Sequence, residues 1–155
     1  MNNSNSVIPI IAASLEALPQ SGTKAHRLLS YLLDGKKHDR NKLILDPLLG
    51  ESIRSPLQVL KGDKYSHWLI HSSVCEHSKA RIIQLDPRHL SGNAEEDAEA
   101  RRERRKQLKE VSAKEAEQGR LREAKAVRER GEANAEYFKL LGNAANDPTF
   151  KKINR

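Results

Sequence analysis

The run Ser52-Ile53-Arg54-Ser55-Pro56-Leu57-Gln58-Val59-Leu60-Lys61-Gly62-Asp63 is followed, a few residues on, by Trp68-Leu69-Ile70-His71. In the first segment Ile53, Leu57 and Leu60 recur at spacings of four and three, which is one face of a helix. Arg54, Ser55, Gln58 and Lys61 fall on the other face. Past Gly62-Asp63 the period changes: Trp68 and Ile70 alternate with Leu69 and His71, and Ile82, Ile83 and Leu85 follow Arg81. A helix starting at Glu51 or Ser52 is therefore expected to run into a hairpin, whose polar connection Ser72 to Ala80 holds Glu76, His77 and Lys79. Pro56 fits only the first turn of that helix and shortens or shifts it, because a proline further in removes an intrahelical hydrogen bond.

Upstream the same logic predicts two more helices. Ser21-Gly22-Thr23 offers an N-cap to a run with Leu28, Leu29, Leu32 and Leu33 on one stripe, and Gly35 supplies the stop, so a helix is expected over about 24–34. Asp39 caps a second, with Leu43, Ile44 and Leu45 as its apolar content and Pro47 cutting it short. Helix, helix, helix, hairpin across Gly22 to Leu90 is the plan of a winged helix-turn-helix. The predicted fold class is mainly α with a small β-hairpin.

Three further segments flank this domain. Residues 1–21 read as an arm or short helix, with Ile8, Ile10, Ile11, Leu15 and Leu18 at near-helical spacing before Pro19. Residues 91–142 read as one long charged helix, rich in Ala, Glu, Lys, Arg and Gln, with acids Glu95, Glu96, Asp97 and Glu99 at the end where they complement the macrodipole. Residues 143–155 form a tail. Large apolar residues are dense before Leu90 and sparse after it, so the second half is not expected to build a core of its own.

The formal net charge is +7, and it is shared: 12 Lys/Arg against 8 Asp/Glu through Leu90, and 16 against 13 beyond. A mildly basic balance favours polyanionic partners, since each neutralised phosphate releases condensed counterions. The single cysteine, Cys75, excludes an intrachain disulfide and suits a reducing cytoplasm. The apolar run Val7 to Ala13 is broken by Pro9 and is far short of the roughly 20 residues a membrane span needs. Neither a membrane segment nor a signal peptide is expected.

In a helix-turn-helix the exposed side of the last helix reads the major groove, where arginine bridges guanine O6 and N7 and glutamine pairs with adenine. That assigns base-edge contact to Arg54, Ser55, Gln58 and Lys61. Phosphate contacts, which position without specifying, are expected from Thr23, Lys24 and His26, from Lys36, Lys37, Arg40 and Lys42, and from Lys79 and Arg81 in the wing.

The segment Thr23-Lys24-Ala25-His26-Arg27-Leu28-Leu29-Ser30-Tyr31-Leu32-Leu33-Asp34-Gly35-Lys36, a short helix, and then Ser52-Ile53-Arg54-Ser55-Pro56-Leu57-Gln58-Val59-Leu60 resembles small phage and prophage winged-helix proteins. In those, a helix, Leu-Leu-x-Gly-Lys, a second helix and an Ile-Arg…Leu helix precede a hairpin. The resemblance covers roughly Gly22 to Leu85. It departs at Pro47, at Pro56 and in the extension from Ser91 to Arg155. It implies a DNA-binding regulator or accessory protein of a mobile element, not an enzyme.

Other chemistry is thin. His67, His71, Cys75 and His77 would share one face of an unbroken strand, but the expected turn between Ser72 and Ala80 destroys that register, so no metal is expected. No base or oxyanion donor identifies Cys75 as a nucleophile, and no phosphate loop, carboxylate pair or metalloprotease motif occurs, so neither enzyme activity nor a cofactor is expected. The long helix carries Leu108, Val111, Leu121 and Val127 without a sustained heptad, then Tyr137, Phe138, Leu140 and Leu141 as the apolar patch hardest to leave in water. These are the expected partner-binding residues, for a homodimer or another protein. The rival expectation is an interaction protein that engages a host protein through this helix, with the winged helix as scaffold. An RNA-binding module is disfavoured, because the six aromatic residues form no evident stacking platform.

Overall fold

The computed structural model describes residues 11–146. They fold mainly as α-helix with a small antiparallel sheet, in the order α1 (Lys24–Leu32), β1 (His38–Asp39), α2 (Arg40–Leu43), α3 (Arg54–Lys61), β2 (Ile70–Val74), β3 (Arg81–Leu85) and α4 (Ala94–Ala145). The three strands lie in the order β1-β3-β2. This is the expected mainly α fold with a small β-hairpin and a long C-terminal helix, with one strand more than the sequence reading supplied. Among the described residues no helix is long and apolar enough to cross a membrane.

Local signals set the helix ends. The Thr23 hydroxyl accepts the His26 N–H at 3.1 Å and donates to the Gln20 carbonyl at 2.7 Å, so it is spent on capping α1 rather than offered to a ligand. Asp39 caps α2 by accepting from the Asn41 N–H at 2.9 Å. Gly35 ends α1 at φ +71°, and a Cβ there would come within 2.9 Å of Leu90 Cδ1. Both the left-handed backbone and the close approach call for glycine.

Four expectations are corrected. The third helix starts at Arg54, not at Glu51 or Ser52, because the Ser52 hydroxyl accepts the Arg54 N–H at 3.2 Å and Pro56 needs the first turn. The second helix is a single turn, which leaves Leu45 79% exposed instead of on a buried stripe. The hairpin begins later: Trp68 and Leu69 are buried but not strand, and polar Ser72 and Ser73 are drawn into β2 by pairing with Ile83 and Ile82. Of the expected N-terminal arm or short helix, the described residues show a one-turn 3-10 segment, Leu15–Ala17, with Leu15 exposed; Ile8 and Ile10 lie outside the described residues.

The core gathers Leu28 and Leu32 of α1, Leu49, Ile53 and Leu60 around α3, and Trp68, Ile70, Ile83 and Leu85 from the sheet side. The Trp68 indole N–H donates to the Ala17 carbonyl at 2.9 Å, which anchors the N-terminal segment.

The chain divides into two units, one reaching Leu108 and the other starting at Lys109. The first turns of α4 belong to the former. Ala100 is fully buried there, and Asp97 and Arg101 nearly so. His89 Nε2 accepts the Leu69 N–H at 2.9 Å while its Nδ1 meets Asp97 at 2.7 Å. Arg101 Nε donates to the same carboxylate at 2.7 Å, its Nη1 to the carbonyls of Tyr65 and Ser66, and its guanidinium carbon lies 4.4 Å from the Trp68 ring centroid. Arg88 adds a bridge from Asp86 to Glu103 at 2.6 Å.

The second unit, taken by itself, is a helix whose described side chains are exposed apart from a half-buried Ala126. Its Ala/Glu/Lys/Arg content and the i,i+4 pairs Lys125–Glu129 and Arg128–Glu132, each at 3.7 Å, supply only local support.

Candidate nucleic-acid interface

Burial decides what α3 shows to solvent. Ile53, Pro56, Leu57 and Leu60 enter the core, so Arg54, Ser55 and Gln58 stand outside and Lys61 is half-buried at the helix end. β3 opens beside it with an exposed Arg81, and α2 opens with a half-buried Arg40. Between these elements lies a cleft of about 630 Å³ whose polar lining is Arg40, Arg54, Gln58, Lys61, Arg81 and Arg104. Leu57, Gly62 and Leu108 complete it. No carboxylate is among the lining residues.

The charge imbalance leaves a physical mark. Burial first, then the nearby guanidiniums of Arg104 and Arg40, push the Lys61 ammonium below its usual range, and burial does the same to Arg104. Like charges held together in a hollow without a counterion are a site for an anion, because each loses repulsion when a phosphate enters.

The sequence-predicted residues separate here. Arg40, Arg54, Gln58, Lys61 and Arg81 are brought together, and Ser55 is exposed on the same helix. Lys37 and Lys42 instead line a larger hollow, about 700 Å³, where Asp39 and Asp46 offset them. His26 borders an apolar hollow with Ile11, Leu29 and Leu33. The Lys24 ammonium lies over Gly50, where an added Cβ would meet it at 2.8 Å. Lys36 is exposed, and its N–H is bound to Asp34 at 2.8 Å. Lys79 sits exposed in the turn between β2 and β3 at φ +56°. None of these six lines the cleft.

Arg104 was not among the expected contacts. Its only trace in the sequence is the stripe Asp97, Ala100, Arg101, Arg104 and Leu108, at helical spacing inside a run of arginines. Asp97, Ala100 and Arg101 mark the face of α4 that packs on the domain, and Arg104 continues it to the mouth of the cleft.

The histidines and cysteine of the hairpin region do not converge. His67 pairs with Asp63 at 2.7 Å and His71 with Asp86 at 2.8 Å. Hydrogen bonds from Ser78 and from the His77 backbone hold the Cys75 thiol below its usual range. Among the described residues no group of three such side chains is arranged to hold a metal ion. The expected partner-binding residues are all on α4: Leu108 half-buried, and Val111, Leu121, Val127, Tyr137, Phe138, Leu140 and Leu141 exposed, with the Tyr137 and Phe138 rings edge-on at 5.9 Å.

Comparison with protein-family models, with curated protein sequences and with solved structures returns no significant match for this chain.

Proposed function

We propose that this chain is a cytoplasmic, non-catalytic protein that binds double-stranded DNA through a winged helix, with the exposed face of α3 in the major groove and the wing along the backbone. The observation that carries the reading is the cleft beside α3, where Arg40, Arg54, Lys61, Arg81 and Arg104 meet without a carboxylate. Gln58 and Arg54 in its lining carry the donor groups that pair with base edges. The resemblance of Gly22 to Leu85 to phage and prophage winged-helix proteins supports a regulator or accessory protein of a mobile element.

The test is fluorescence anisotropy of the full chain with a random 30-base-pair duplex at low and near-physiological salt. Affinity that falls steeply with salt is expected. Absence of binding at low salt overturns the proposal.

A second reading rests on a separate observation, the exposed apolar patch of Tyr137, Phe138, Leu140 and Leu141. It has α4 engaging a second copy or another protein, with the winged helix as scaffold. Loss of function on changing this patch, with duplex affinity intact, would favour it.

A further inference from the structure

We propose that the first turns of α4 form a wall of the DNA interface, with Arg104 and Lys61 holding one backbone phosphate between them. This rests on the DNA-binding reading above and adds to it a residue from outside the helix-turn-helix and its wing.

The argument starts from how Arg104 is held. Its Nε donates to the Lys61 carbonyl at 3.2 Å, and its Nη1 to Gln107 Oε1 at 3.3 Å. The Lys61 carbonyl belongs to the last turn of α3, where backbone acceptors lack intrahelical donors and a cation is favoured. Arg104 is thus fixed at the C-terminal end of α3, with its charge beside the Lys61 ammonium. Nη2 has no acceptor among the described residues, whereas all three nitrogens of the neighbouring buried Arg101 donate, to Asp97 and to two carbonyls.

A capping arginine needs no second cation next to it. Here Lys61 and Arg104 line one cleft with Arg40, Arg54 and Arg81 and no carboxylate, and burial first, then Arg104 and Arg40, push the Lys61 ammonium below its usual range, a repulsion that a capping role does not explain. A phosphodiester oxygen removes it, accepting from the Lys61 ammonium and the remaining guanidinium N–H groups at once. The arrangement is also pre-organised, because Asp97, His89 and Arg101 fix the helix that carries Arg104.

The experiment compares the full chain with R104Q, R102Q and K61Q on one 30-base-pair duplex across a salt series. R104Q keeps a donor for the Lys61 carbonyl and loses the charge. R102Q removes an equal charge from an exposed site off the cleft. R104Q and K61Q are each expected to weaken binding roughly tenfold at low salt and to flatten the slope of log affinity against log salt by about 0.9, the value of one phosphate. The double variant should lose little more than either single one, since both serve the same phosphate. R102Q should change the slope far less.

If R104Q and R102Q are indistinguishable, or the losses in the double variant simply add, the shared phosphate is refuted while DNA binding by the parent stands. If the parent binds no duplex at low salt, both readings fall. Thermal midpoints of the three variants separate unfolding from loss of contact, because a cap alone shifts stability without touching the salt slope.

Discussion

His89 and Asp97 share a 2.7 Å hydrogen bond inside the protein, and it links the turn after β3 to the first turn of α4. The Leu69 N–H donates to the other ring nitrogen, Nε2, so the imidazole is neutral and carries its proton on Nδ1. Burial pushes the His89 pKa below its ordinary value of 6.5 and outweighs the carboxylate beside it. A depressed folded-state pKa means that the contribution to stability is fully present above about 6.5 and is lost as the pH falls below it. The thermal midpoint should therefore drop between pH 7 and pH 5. His89→Gln should be less stable at pH 7 and flatter across that window, as circular dichroism melts would reveal; equal slopes would refute the assignment.

Arg101 is the partner that keeps Asp97 ionised in the interior. Arg101→Ala strands that carboxylate and removes the donor from the Tyr65 and Ser66 carbonyls. Breaking one side of a buried pair costs about 3–5 kcal/mol. Urea unfolding should show a loss in that range.

Two glycines with left-handed backbone should respond unequally to alanine. At Gly35 the new Cβ meets Leu90 Cδ1 at 2.9 Å, while at Gly22, φ +84°, nothing lies within 4 Å. Gly22→Ala carries only the backbone penalty, about 1–2 kcal/mol. Gly35→Ala should exceed it by the cost of displacing Leu90, measurable in the same unfolding series.

If the cleft beside α3 receives a duplex as proposed, affinity should depend on which cation is removed. Arg81→Ala should weaken binding to all duplexes roughly tenfold at low salt, Arg54→Ala should also alter sequence preference, and Lys36→Ala should stay within about twofold of the parent. Competition with a selected and a random duplex distinguishes the three. A Lys36 effect as large as that of Arg81 would place the phosphate path outside the cleft.

If the Tyr137 to Leu141 patch mediates self-association, Phe138→Ser with Leu141→Ser should lower the mass seen by sedimentation equilibrium at high protein concentration. The exposure of both residues, 68% and 47%, predicts no loss of folding stability. A parent that is monomeric at every concentration removes the homodimer from consideration.

The order, caps and faces of the helices were legible in the amino-acid order, because each depends on residues three or four apart, whereas the start of α3 and the single turn of α2 were not. Thr23 and Asp39 cap where their side chains stand just before an apolar run, Gly35 stops α1, and the Ile53, Leu57, Leu60 spacing turns Arg54 and Gln58 outward. The basic composition and the apolar content of the long helix are likewise properties of the chain itself. What only the tertiary structure decided is which distant groups meet. His38–Asp39 becomes a strand solely because Ile82 and Ile83 pair with it, with no alternation of its own to announce it. Arg104 reaches the α3 cleft because burial of Ala100, Asp97 and Arg101 orients the start of α4, whereas Lys36, Lys37 and Lys42 do not line it. Charge is counted along the chain, but electrostatic work depends on distance and burial, and those are set by contacts between residues dozens of positions apart.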